Sequence, residues 1–244
     1  MPTIYRLSMY QTAAILGSFW LESKVNPYNY HWNEGLYTND CGWGLGMWTD
    51  APYPYNTTYW IGEELKTWMN NHGYDWWDGT GQIECLFADE LNIKGTYYNR
   101  LPGSMWLPIS ASEFPEYAYM NTKYPNLTAF WNDTENTNLE ELTRAWFLFW
   151  ETPGTRNVYN LSWDLRWGNA QRIFAYLQQH GDDVIPDGWY YEQGDLHRYV
   201  LIPDQKAYDN CVVFWQIVGS GVIPPGPTPT KKKGMPLWMK LRYF

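Results

Sequence analysis

From Thr12 to Leu21 the chain reads Thr-Ala-Ala-Ile-Leu-Gly-Ser-Phe-Trp-Leu, apolar nearly all the way round, and Glu22 closes the run. A segment without a polar stripe is a helix buried on most faces, so the remaining chain must wrap it. Pro27 disfavours helical geometry at Asn26 and removes a backbone donor, which stops the helix shortly after Glu22. The carboxylate therefore sits at a helix-to-loop edge, where clefts form. With Trp20 beside it, and Trp43 and Trp48 folding back from the next loop, it is expected to be partly desolvated. Desolvation keeps a carboxyl protonated near neutrality, as a general acid requires. Against this stands the plainer role of a first solvated residue after a core helix, which an arbitrary Glu at this position more often has.

The surroundings weigh against the plainer role. Ala14-Ile15-Leu16-Gly17 leads to Glu22-Ser23 and Asn26-Pro27, and then to Cys41-Gly42-Trp43-Gly44-Leu45-Gly46-Met47-Trp48-Thr49. This pattern resembles the phage tail lysozyme family, relatives of goose-type lysozymes and lytic transglycosylases. Three later stretches are similar to the same family: Gln82 to Leu91, the Glu-x-Pro-Gly turn at Glu151 to Gly154, and the Arg-Ala helix from Arg166 to Ala175. The resemblance covers roughly residues 8–179 and leaves the last quarter of the chain unexplained. One departure is clear: Met47 stands where the family usually has Gln, so no role is carried over to that position.

Composition adds a second theme. With 17 Trp and 21 Tyr, aromatic residues make up 19% of the chain, more than packing requires. Rings stack on the apolar faces of sugars while their polar edges stay wet, so the surplus fits a saccharide-facing protein as well as an aromatic core. A net charge of -9 argues against a general nucleic-acid binder, which needs clustered Lys and Arg. Cys41, Cys85 and Cys211 are odd in number and far apart, which allows one bridge at most and no paired metal motif. The four histidines lack metal-ligand spacing, and neither a metal nor another cofactor is expected. No signal peptide and no membrane span are expected either.

The periodicity predicts a mainly α, lysozyme-like domain with long aromatic loops over residues 1–181. Its helices are expected from Thr57 or Thr58 to about Asn70, from Gln82 to Asn92, from Ser110 or Ser112, from Leu139 to Trp150, and from Ser162 or Trp163 to Gln179. Loops are expected at Asp50 to Asn56 and over 95–109, from their Pro and Gly. Residues 182–218 read as a small β-rich extension, with strands at Trp189 to Tyr191, Arg198 to Ile202 and Cys211 to Val218. Residues 219–244 read as a Pro/Gly linker and a basic, aromatic tail. That tail, over 231–244, suits docking to phage tail proteins or contact with an anionic membrane surface.

The resemblance implies cleavage of the muramic acid to N-acetylglucosamine bond of bacterial peptidoglycan by a protein carried on the virion tail, which aids genome delivery. Glu22 would protonate the leaving oxygen. A second carboxylate decides between inversion and a covalent intermediate, and without one the sugar's own hydroxyl can close an anhydro product, as in a lytic transglycosylase. Glu34, Asp40 and Asp50 are candidates, with Asp40 preferred because it directly precedes the Cys41-Gly42-Trp43 turn. Trp43 and Trp48 are candidate sugar contacts, Tyr53 and Trp20 are weaker ones, and Gly44 and Gly46 let backbone approach the glycan. The alternative is a non-catalytic structural or glycan-binding tail protein on the same fold.

Overall fold

The computed structural model describes residues 6–35, 38–52, 58–88, 106–153, 155–193 and 202–219, with the backbone alone at 31–35, 38–41, 49–52 and 58–64. Helix α1 spans Met9–Ser23. Ser8 opens it with a reciprocal cap: its hydroxyl accepts from the Gln11 N–H, and the Gln11 side chain accepts from the Ser8 N–H at 2.8 Å. Everything from Gln11 to Phe19 is buried, as an unstriped apolar run requires. Lys24 and Val25, both left-handed at φ 55° and 57°, end the helix one residue after Ser23.

Past Pro27 the chain forms an antiparallel meander, β1 (Tyr30–Gly35), β2 (Thr38–Trp43), β3 (Trp48–Pro52) and β4 (Thr58–Trp60), in that spatial order. Tyr30 pairs with Trp43, Asn33 with Asp40, Cys41 with Asp50, and Asp50 with Trp60. Here the expectation of long loops is corrected: most of this stretch is strand. Backbone pairing recruits residues such as Asp50 to Pro52, whose composition argues against sheet. Helix α2 (Ile61–Asn71) follows, later than its expected start because Thr58 to Trp60 belong to β4. Asp78 caps α3 (Gly79–Phe87), accepting from the Thr80 and Gly81 N–H groups.

In the described part of the second half every regular element is helical. Short helices α4 (Met120–Lys123) and α5 (Leu127–Asn132) follow a single 3-10 turn at Pro115–Tyr117, where one helix from Ser110 or Ser112 is expected. Helix α6 (Leu139–Ala145) continues into a wider π-helical turn, Trp146–Glu151, whose five apolar residues are all buried. Thr152, left-handed at φ 44°, ends it. Helix α7 (Arg156–His180) is the longest of the described helices, and starts before Ser162 because Thr155 caps it. It lies against α1 so closely that a Cβ on Gly17 would come within 2.8 Å of the Ala170 Cβ.

The β-rich extension is overturned where the structure describes it. Cys211 to Val218 belongs to helix α8 (Asp204–Val218), and Trp189 to Tyr191 forms no strand. Ala207, Asn210, Cys211, Phe214, Ile217 and Val218 are buried at helical spacing, so burial overrides the sheet preference of the β-branched residues. Phe214 meets Phe19 of α1 edge-on at 6.2 Å, and the Leu7 N–H donates to the Val218 carbonyl at 3.0 Å. Cys85 and Cys211 are buried thiols. Arg198 to Leu201 and the linker and tail from 220 onward lie outside the described residues. Among the described residues, no helix is long and apolar enough to cross a membrane.

Candidate active site

Glu22 occupies the last turn of α1, at the helix-to-loop edge expected of it, with 27% of its side chain exposed. Arg166 of α7, 7% exposed, donates from Nη2 to Glu22 Oε1. The same guanidinium turns Nη1 toward Glu151, whose Oε1 is 3.6 Å away, an ion pair without a hydrogen bond. Glu151 ends the π-helical turn and is 12% exposed. Burial pushes its carboxyl up to about 7, Arg166 opposes the shift, and the Glu22 charge adds to it. The Trp146 indole N–H, buried beside this carboxyl but outside strict hydrogen-bond geometry, also opposes the shift. Two carboxylates thus converge on one buried guanidinium, whose position is further fixed by packing 4.5 Å from the Phe147 ring centre.

The glycine segment is pinned to the end of α1. Ser23 Oγ donates to the Leu45 carbonyl at 2.7 Å, and the Gly44 N–H donates to the Asn29 carbonyl at 2.8 Å. Gln82 reaches in from α3: its amide donates to the carbonyls of Pro27 and Trp76, and its Oε1 accepts the Leu45 N–H. Gly44 has φ +73°, and a Cβ there would strike the Gln82 amide at 2.6 Å, so glycine is required on both counts. Met47 is left-handed at φ 47° and packs its side chain on Gly42.

The candidate sugar contacts separate. Trp43 is half-buried and stacks on Tyr30 with ring centres 5.5 Å apart; Trp76 meets it edge-on, and Lys66 Nζ lies 3.6 Å from its ring centre. Tyr28 stacks on Trp77 beside them. Trp76 and Trp77 are partly exposed members of this group that the sequence reading passed over, although adjacent tryptophans in a turn-rich loop were a visible signal. Trp48 is a core residue, 3% exposed and edge-on to Phe19, and offers a sugar no open face. Trp20 packs on Tyr208 of α8. Glu34, Asp40 and Asp50 belong to β1, β2 and β3, and Tyr53 lies outside the described residues.

A mainly helical domain that presents one carboxylate at the edge of its central helix, with a glycine-rich turn tied to that edge, has the organisation of a lysozyme-like fold. The phage tail lysozyme family model matches residues 5–177, and the chain belongs to that family. No curated protein and no solved structure matches it. Membership supports a lysozyme-type glycosidase that degrades peptidoglycan and is associated with the virion.

Proposed function

We propose that the protein cleaves the muramic acid to N-acetylglucosamine bond of peptidoglycan, with Glu22 as general acid, while carried on the phage tail. The observation that carries this reading is the position of Glu22: partly exposed at the helix edge to which Ser23 ties the glycine turn. A proton-donating carboxyl must be open to a substrate arriving from solvent, and the partial exposure of Glu22 supports that role. Gly44 and Trp43, tied to the same edge, supply a backbone approach and a ring edge for the glycan, and Trp76 extends that aromatic group. Asp40, paired with Asn33 in the β1–β2 ladder, is our choice for the second carboxylate. The basic, aromatic stretch from Lys231 to Phe244 supports attachment to tail proteins.

A second reading, a glycan-binding or structural tail protein without turnover, is favoured by the engagement of Glu22 Oε1 by Arg166. One experiment separates the two. Purified peptidoglycan is incubated with wild type and with Glu22→Gln, and soluble fragments are collected and weighed by mass spectrometry. A loss of about 10²- to 10⁴-fold in the variant supports Glu22 as the acid, and reducing or anhydro sugar ends name the reaction as hydrolysis or transglycosylation. Wild type that binds several wall types and releases nothing overturns the enzyme reading.

A further inference from the structure

Glu151 has no part in the reaction proposed for Glu22. We propose that Glu151 is a positioning residue for Glu22: the two carboxyls share Arg166 and hold one proton that passes between them. The inference rests on the reading of Glu22 as the acid, and deepens it.

The geometry is that of two carboxylates with a single cation. Among the described residues, the charged groups that act on Glu151 are Arg166, from α7, and Glu22, from α1, while Trp146 is its uncharged polar neighbour on its own turn. One guanidinium balances one carboxylate, so the cluster is neutral only when a proton occupies the other. In the arrangement described, Arg166 Nη2 donates to Glu22, whereas Nη1, Nε and Glu151 Oε1 are buried without hydrogen bonds. Buried polar groups left in that condition have an unmade bond in reserve. Here it lies between Nη1 and Glu151, 3.6 Å apart.

The resting arrangement therefore has the proton on Glu151 and the guanidinium on Glu22. In the competent arrangement the proton has left the Glu151 carboxyl, a proton has joined the Glu22 carboxylate, and Nη1 has closed on ionised Glu151. The net charge of the cluster is the same in both. A glycan covering Glu22 removes water from the carboxylate and favours the second arrangement, because an ionised group is the costlier one to desolvate. Glu22 is the more exposed of the two carboxyls, 27% against 12%, so a substrate reaches it first. The π-helical turn that ends at Glu151 and the left-handed Thr152 behind it are the kind of irregular backbone found at functional sites.

The test follows the glutamate side-chain carboxyls by ¹³C NMR across pH in the intact protein, with Glu22→Gln and Glu151→Gln to assign them. The inference expects Glu151 to be protonated at pH 6, and its midpoint to fall when Glu22 is made neutral. A Glu151 midpoint in the ordinary carboxylate range, indifferent to Glu22→Gln, overturns it. Kinetics supply a second arm: Glu151→Gln locks Arg166 on Glu22, so kcat on peptidoglycan falls at least tenfold with KM unchanged, and Glu151→Asp recovers part of the loss. Wild-type kcat and an unchanged pH profile in Glu151→Gln also overturn it. If Glu151→Gln fails to fold, the titration of wild type and Glu22→Gln and the activity of Glu151→Asp decide. An inactive wild type would defeat the proposed function, while the titration would still report whether the proton is shared.

Discussion

The Gln82 side-chain carbonyl accepts the Leu45 N–H at 2.9 Å, joining α3 to the glycine turn across 37 residues of sequence. The amide of the same side chain donates to Pro27 and Trp76, so one buried residue gathers the end of α1, the glycine turn and the aromatic loop.

Gln82→Leu keeps the volume and removes all three bonds, leaving buried carbonyls and an N–H unpaired. A loss of about 2–4 kcal/mol is expected, measured by urea unfolding. Activity on peptidoglycan should fall further than stability accounts for, since the turn beside Glu22 loses its anchor.

Gly17 admits no side chain where α1 meets α7. Gly17→Val should cost about 1–3 kcal/mol through overpacking, and because Arg166 follows α7 outward, the Glu22 contact should lengthen. Thermal unfolding together with wall-degrading activity would register both effects.

Stability should also carry the mark of Glu151, raised from 4.5 to about 7 by burial. Between those values the folded state holds a proton that the unfolded chain has released. The contribution is therefore fully present below about pH 4.5 and is lost as pH rises through about 7, on the order of 3 kcal/mol in all. Glu151→Gln abolishes this slope, so the difference in unfolding free energy between variant and wild type should grow from pH 5 to pH 8. A constant difference would contradict the assignment.

Asn210 of α8 binds the loop after α7 to the end of α1: its amide donates to the carbonyls of Val25 and Tyr190, and its Oδ1 accepts the Tyr190 N–H. Asn210→Ala should destabilise the protein by about 2–3 kcal/mol. Hydrogen exchange should rise first at Val25 to Asn29 and at Trp189 to Glu192.

The buried helix and the edge position of Glu22 were legible because an unstriped apolar run followed by Pro27 admits few other arrangements. Long-range pairing was not. Arg166 and Glu151 stood in recognisable motifs, yet nothing in their spacing says that both face a residue 144 positions before Arg166. The meander was missed because Tyr30 to Gly35 and Thr38 to Trp43 lack period-two alternation, so ladder partners rather than local preference define those strands. Helix α8 was misread through Val212, Val213 and Ile217, although Ala207, Cys211, Phe214 and Val218 kept a helical spacing.

That helix bears on how the protein can be cut and recombined. The matched segment stops at residue 177, but Phe214 abuts Phe19 and the Val218 carbonyl secures Leu7. A fragment trimmed at the family boundary would bare an oily slot along α1 and loosen its own first residues. The smallest portable unit for grafting onto another carrier runs through Val218, and the joint belongs after it.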